Sequence, residues 1–344
     1  MNTQSINNAD LRVKAPALLV IIAFATVFIV WGSTYFFIGM AVHGFPPMLM
    51  GAVRFLTAGL LMLAWCWKKG DRIWLKKDLG HLAVSGLLML SVATGIVIWV
   101  ERVLPSPMVA IMVSANPIWF IILDKANWRV NLKNKATVYG LIIGFTGILL
   151  LFGESLVKSF SGGMDSAKIS GLLLLLVGPV AWSAGSLYSK KHSGSAPARL
   201  NTAWQMVFGG LAFIPASLAH HEFRSFELSQ VPLQSWLAIG YLILFGSIAA
   251  FSAYIWLLQV RPVTQVSTHS YINPVVAVLL GVSFAHESIS GWQLFGLLVI
   301  LFSVLLVNLS KYSRPGIGKF WSFRPKAFYG IGKGRAKGLK ADCQ

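Results

Sequence analysis

Three polar side chains fall on one face of an otherwise apolar stretch. Gln265, His269 and Asn273 are spaced i, i+4, i+8 in "TQVSTHSYINPVVAVLLG", residues 264 to 281. Such a stripe can offer hydrogen-bond donors and acceptors to a polar solute, and a histidine can also carry a proton near working pH. The plainer reading of His269 is a side chain hydrogen-bonded within a helix bundle. Asn273 is followed by Pro274, and the same Asn-Pro pair stands 157 residues earlier as Asn116 and Pro117 in "VAIMVSANPIWFIIL". In a helix each proline removes a backbone donor and frees the carbonyl four residues back, that of Val113 or Ser270. In hydrocarbon such a carbonyl must be answered by protein or water. The two Asn-Pro pairs are therefore expected to kink their helices at the same depth, with Pro117 and Pro274 as hinges. Asn116 and Asn273 then either line a polar site or satisfy the kinks. Met108 and Met112 stand where the second copy has Gln265 and His269, so the polar stripe is asymmetric.

Arg54 is the one charge expected well inside the apolar segments, about 10 Å along a helix that starts at Pro47. An ionisable residue at such a depth is a functional hypothesis by default. It can draw a substrate carboxylate, or pair with Glu101 at the end of the third helix as a structural strut; the strut is the favoured expectation. Trp31 and Tyr35 sit four apart on the first helix, and Trp99, Trp182 and Tyr254 lie on the third, sixth and eighth. Some of these rings can form an aromatic pocket for an amphipathic or zwitterionic solute, while others serve as interface belts or packing. Gln205, in the seventh helix, completes the candidate lining. An enzyme would need a nucleophile with its base, or a metal-ligand cluster. The chain has no His-Glu-x-x-His, no paired aspartates in its apolar segments and no cysteine cluster. The expectation is no catalysis, no metal and no cofactor.

The elements that position these residues follow from composition. Of 344 residues 56% are hydrophobic and 12% charged, and the mean hydropathy is +0.69, which is the signature of a membrane protein. Apolar windows of about 20 residues, enough to cross a bilayer core, fall near 17–39, 48–67, 79–100, 106–123, 136–153, 170–189, 200–219, 235–257, 263–284 and 292–310. The expected architecture is all-α, with ten transmembrane helices joined by short connections. The first window lacks a small-residue cleavage site, so it is expected to be a retained helix. Cys66 and Cys343 are too few and too far apart for a disulfide framework.

The net charge of +18 sorts by loop. With the N-terminus inside, 24 of the 29 Lys and Arg residues fall on the cytoplasmic side, nine of them after residue 310. Glu101, Glu154, Asp165, Glu222, Glu227 and Glu287 fall outside. The positive-inside rule then puts both termini in the cytoplasm, with an even helix count. The basic tail can lie on anionic lipid, at roughly 1 kcal/mol per basic residue near the surface. Nucleic acid is not expected as a partner.

An internal repeat accounts for the doubled Asn-Pro. Trp31 matches Trp182, Pro47 matches Pro197, Gly59 matches Gly209, Trp99 matches Trp256, Pro105 matches Pro262 and Gly140 matches Gly296, all at offsets of 150 to 157 residues. Five helices per unit is an odd number, so the second unit enters the membrane from the opposite side. Inverted repeats are the architecture of alternating access. The expected organisation is a cytoplasmic segment 1–16, a first five-helix repeat 17–153, an outside linker 154–169, a second repeat 170–310 and a basic cytoplasmic tail 311–344. Gly140 and Gly144 form a small-xxx-small pair that permits close helix approach within the chain or between protomers, which leaves a homodimer open.

"WGSTYFFIG", "PPMLMGAVRFLTAG", "PSPMVAIMVSANPIW" and "HSYINPVVAVLLGVSFAHESISGWQLFGLLVILFSVLLV" resemble the EamA-type, ten-helix members of the drug/metabolite transporter superfamily over roughly residues 17 to 310. The resemblance implies a secondary transporter in a bacterial inner membrane, exporting or exchanging small metabolites such as amino acids. The four-helix relatives in that superfamily use a membrane-embedded glutamate in their first helix to couple protons to cation export. Helix 1 here, "ALLVIIAFATVFIVWGSTYFFIG", has no acidic residue, so a neutral, zwitterionic or anionic solute is easier to accommodate. Flipping or efflux of lipid-like molecules or drugs is the alternative.

Overall fold

The computed structural model describes residues 15–74, 77–104, 106–161, 166–192, 196–285 and 290–309. The basic tail, Cys343 and the side chain of Met108 lie outside the described residues. Among the described residues ten longer helical elements follow one another, with the short helices Trp128–Lys133 and Glu222–Ser225 between them. They are α1 (Ala17–Val42), α2 (Pro47–Lys68), α3 (Leu79–Val100), a broken α4 (Ser106–Val113 and Asn116–Leu123) and α5 (Lys135–Ser161). After these come α6 (Ser166–Lys191), α7 (Ala198–Ala219), α8 (Leu233–Val260), a broken α9 (Val263–Val266 and His269–Ala285) and α10 (Gly291–Leu309). No strand occurs among the described residues.

Proline sets many of the starts. Pro16, Pro197, Pro232 and Pro262 precede first helical residues, and Pro47 opens α2. A ring with φ already near its helical value and no N–H to lose suits that position. Among the described residues seven helices are long and apolar enough to cross a bilayer, and eight if the bent pair Val109–Leu123 with Lys125–Lys133, turning by 69°, counts as one span. Ten full spans are thus not fully confirmed among the described residues. The positions left open are the fourth, ninth and tenth, where α4 and α9 are interrupted and Gly291–Val307 is a shorter apolar helix.

The two interruptions do not match. In α4 the break falls at Ser114–Ala115, and Pro117 sits in the first turn of the segment that follows. In α9 the break falls earlier, at Ser267–Thr268, and Pro274 lies inside a continuous helix. The expectation of one kink at the same place in both copies is corrected accordingly. A proline near a helix start loses nothing, whereas Pro274 must leave the Ser270 carbonyl to another donor.

The two halves interlock. The middle element α3 packs on α6 and α7, its counterpart α8 packs on α1 and α2, and α2 lies along α7. Both α3 and α8 contain a wide-turned segment with i→i+5 bonding, at Leu87–Thr94 and Leu242–Phe251. Such segments are rare and cluster at functional sites. A matched pair of acidic residues ties the ends of α2 and α7. Asp71, beyond the end of α2, takes two hydrogen bonds from Arg199 at the start of α7, each 2.8 Å. Glu222, beyond the end of α7, accepts from the Met48 and Leu49 amides at the start of α2 at 3.2 and 2.8 Å and from Ser217 Oγ at 2.9 Å. Each carboxylate thus meets a helix N-terminus or its first-turn arginine.

The small residues of α5 serve packing within the chain. A Cβ on Gly296 of α10 would stand 2.5 Å from the Leu151 amide, and one on Gly144 would stand 2.6 Å from both Ser303 Oγ and the Tyr271 ring. That close approach lets α5 and α10 form a tight pair at the side of the bundle.

Candidate functional site

A cavity of about 110 Å³ lies between the halves, lined from α1, α2, α3, α4, α6, α8 and α9. Seven of the residues singled out in the sequence reach it: Trp31, Tyr35, Arg54, Asn116, Trp182, His269 and Asn273. Three do not line it. Tyr254 stands behind the wall, fully buried, with its hydroxyl 3.0 Å from Trp182 Nε1 and 2.7 Å from Ser186 Oγ. Trp99 packs instead among apolar side chains near Val100, Leu104 and Leu175. Gln205 donates from Nε2 to Ser85 Oγ and Ser189 Oγ, both at 2.9 Å, tying α3, α6 and α7 together away from the cavity.

The aromatic residues form one cluster. Trp31 lies 5.3 Å from Trp182, 5.0 Å from Tyr254 and 5.1 Å from His269, measured between ring centroids, with edge-to-face or tilted geometry. These are the preferred arrangements for π systems whose edges are positive and faces negative. The Trp31 Nε1 donates 3.1 Å to the Gly246 carbonyl, which lies in the wide-turned segment of α8. Counting along each helix, the cluster lies at the side of the cavity nearer the end where α1 begins. Tyr35, Ile38 and Val97 line the part nearer the other end.

Both nitrogens of His269 have partners within the bundle. Nδ1 is 2.8 Å from the Val266 carbonyl, which can only accept, so Nδ1 carries the proton of that bond. Nε2 is 3.3 Å from Ser270 Oγ, which also accepts from Asn116 Nδ2 at 3.2 Å. Asn116 in turn has its backbone carbonyl 3.3 Å from Ser183 Oγ of α6. The carbonyl of Ser270, freed by Pro274, accepts from Ser114 Oγ at 3.0 Å.

Arg54 is 5% exposed and does not pair with Glu101, which corrects the expected strut. Its Nε donates to Ser247 Oγ at 2.9 Å, and its guanidinium carbon lies 4.8 Å from the centre of the Phe55 ring. Gly246 lies beneath it, since a Cβ there would stand 3.0 Å from Nη2. Nη1 has no hydrogen-bond partner, and neither have Asn116 Oδ1 and Asn273 Oδ1. The side-chain partner that Arg54 does find, Ser247, lies on a helix of the other half. Sequence reasoning missed Ser247, Ser114 and Ser270. For Ser247 no signal existed, because it stands 193 residues from Arg54; the two others flank the Asn-Pro pairs and could have been read as donors for them.

Among known proteins, a model of the EamA-like transporter family matches residues 18–153 and 169–309. The chain is 35% identical over 296 residues to the inner membrane transporter YedA of Escherichia coli strain K12, covering 85% of this chain and 92% of that one. It is 26% identical over 297 residues to the protein PecM of Dickeya dadantii, covering 83% and 91%. A solved crystal structure superimposes with a TM-score of 0.68 at 19% identity, covering 86% of this chain and 98% of that chain, which shows the shared fold.

Proposed function

This chain belongs to the EamA-like transporter family, and from that premise we propose that it exports or exchanges a small metabolite, amino acids first, across the cytoplasmic membrane by alternating access. The observation that carries the reading is the buried Arg54 guanidinium on the wall of an aromatic-lined cavity between the halves, with Nη1 unanswered. A buried cation without a counter-charge is costly unless a ligand supplies one. A cavity of about 110 Å³ also suits a small solute better than a lipid.

In this reading Trp31, Tyr35, Arg54, Asn116, Trp182, His269 and Asn273 contact the solute. The cluster of Trp31 against Trp182, Tyr254 and His269 acts as the gate on the cytoplasmic side, the side to which the basic loops assign the N-terminus. Trp31 comes from the first half and its three neighbours from the second, so rocking the halves apart separates the cluster and opens the cavity inward. The unmatched breaks of α4 and α9, the first with Pro117 beside it and the second followed by Pro274 within the next helical segment, give those helices places to bend.

The test is a thermal-shift screen of the purified full-length protein against amino acids, nucleosides, sugars and lipophilic cations, because specific binding raises apparent stability by mass action. The best hit is then carried into counterflow in liposomes. Saturable counterflow of an amino acid supports the proposal. Stabilisation by lipids or lipophilic cations alone, with no small metabolite moving, overturns it in favour of a flippase or drug-efflux role.

A further inference from the structure

The connection from α4 to α5 is not an irregular loop. Lys125–Asn127 forms one tight turn and Trp128–Lys133 a short helix, and together they turn by 69° from the part of α4 before them. The next span opens at Lys135. The elbow Lys125–Lys133 is therefore strung between the ends of two spans, and a helix at that angle to a spanning one runs close to the membrane plane. Trp128 fixes the bend. Its Nε1 donates to the Ile121 carbonyl at 2.7 Å and to the Ile122 carbonyl at 3.2 Å, two of the acceptors that the end of α4 leaves without a helical donor.

One side of the elbow belongs to the protein. Asn131 is 4% exposed, and its Nδ2 lies 3.5 Å from the Asp124 carboxylate, which also accepts from Asn127 Nδ2 at 2.9 and 3.1 Å. Asp124 is the only acidic residue between Glu101 and Glu154, and it is buried. Arg129 and Lys133 stand two residues to either side of Asn131, which puts them on the opposite, exposed side of the helix. Lys125, also exposed, precedes them by one turn. Trp128 and Leu132, four apart on the neighbouring face, are 40% and 53% exposed. The outward surface is thus a basic stripe beside an apolar one, with no acid to neutralise it. A dissolved anion would answer the first stripe and leave the second in water. A lipid with an anionic headgroup answers both, which is the way amphipathic helices lie at the boundary of headgroups and acyl chains.

We propose that the elbow Lys125–Lys133 is a binding surface for anionic phospholipid, with Lys125, Arg129 and Lys133 on the headgroup phosphates and Trp128 and Leu132 at the acyl boundary. Each basic residue near an anionic surface adds to the attraction, so neutralising all three weakens binding about a hundredfold. Salt weakens it as well, because these charges are exposed.

The experiment uses the full-length protein carrying Cys343→Ser and Val130→Cys, with an environment-sensitive fluorophore on the thiol introduced in the elbow. Cys66 is buried and stays unlabelled. In neutral detergent, phosphatidylglycerol is expected to shift the emission to the blue with saturation, and phosphatidylcholine is not. K125Q/R129Q/K133Q in the same background should raise the half-saturating phosphatidylglycerol concentration about a hundredfold, with the lipid-free unfolding temperature unchanged. K68Q/K69Q/R72Q removes as many exposed charges from the connection between α2 and α3, and should leave half-saturation where it was. An equal shift with phosphatidylcholine overturns the proposal, and this comparison needs no charge variant. An elbow variant with unchanged half-saturation overturns it too, as does a control variant weakened as much as the elbow variant. If glycerol phosphate without lipid reproduces the shift, the surface takes dissolved anions and the lipid assignment falls.

Discussion

Ser114, at the break of α4, places its hydroxyl 3.0 Å from the backbone carbonyl of Ser270 on α9, across 156 residues of chain, and 2.7 Å from the Ala110 carbonyl of its own helix, so that its one proton is shared between them. The bond joins the two Asn-Pro regions at the centre of the molecule. It answers the carbonyl that Pro274 cannot serve, and it does so with a residue from the other half. The same neighbourhood continues through Asn116 Nδ2 to Ser270 Oγ and from there to His269. The cavity wall and the helix breaks are therefore one hydrogen-bonded unit.

Ser114→Ala is expected to lower stability by about 1–3 kcal/mol, because it leaves a buried carbonyl without its donor. Ser114→Thr keeps the hydroxyl and should lose less. Chemical or thermal unfolding of the purified protein checks the difference; equal losses for the two would mean that the hydroxyl bond contributes nothing.

Arg54→Met removes a buried charge that no side chain neutralises. Its apparent unfolding temperature without solute should be unchanged or higher than that of the natural protein, since a buried charge with incomplete pairing is seldom stabilising. Solute-induced stabilisation should vanish at the same time. A protein that is destabilised by the change yet still stabilised by solute would assign Arg54 to the scaffold instead.

Ser247→Ala takes away the bond that orients Arg54 Nε. The guanidinium remains, so binding should weaken rather than disappear, by about tenfold or 1.4 kcal/mol. Equilibrium binding or half-saturation of counterflow is the readout, and an unchanged value would show that Arg54 is positioned without Ser247.

The link from Asp71 to Arg199 carries a pH dependence. Hydrogen bonding from the Arg199 guanidinium holds the Asp71 carboxyl below its ordinary value of 3.8. A carboxyl depressed in this way contributes stability above its ordinary value and loses it as pH falls through the lower, folded one. Asp71→Asn should thus unfold at a lower temperature than the natural protein near neutral pH, by a small margin for so exposed a pair. The two curves should converge below about pH 4. A constant gap across that range would exclude the pairing as its source.

Gly296→Ala should cost about 1–3 kcal/mol by overpacking, because the new methyl would stand 2.5 Å from the Leu151 amide. Gly39→Ala, where nothing lies within 4 Å of the new atom, should cost nothing measurable. Similar unfolding temperatures for the two variants would show that α5 and α10 can separate freely.

How much of this was legible beforehand differs from residue to residue. Trp31, Arg54, Asn116, Trp182 and Asn273 stand out in a sequence because polar and indole groups are rare in apolar helices, and they do meet at one cavity. Trp99, in the same kind of run, points among apolar side chains instead, and Gln205 is absorbed by two serines. The sequence shows that such a residue is embedded, not which way it faces within the bundle. Whether Arg54 meets Glu101 depends on the distance between two helices, which is not written in spacing along one helix.

The sequence by itself determined the all-helical membrane architecture, the helix starts and the doubled plan, because apolar length, proline and a repeated spacing act locally on whatever segment carries them. Only the tertiary structure decided the partners. Ser247 reaches Arg54, Ser114 reaches Ser270, and Asp71 and Glu222 fasten opposite ends of α2 and α7, each joining residues more than 100 apart in the chain. It also decided that the two Asn-Pro copies break their helices differently, since a bend depends on which neighbouring side chain can answer the freed carbonyl. Matching residues in the two halves have different neighbours there.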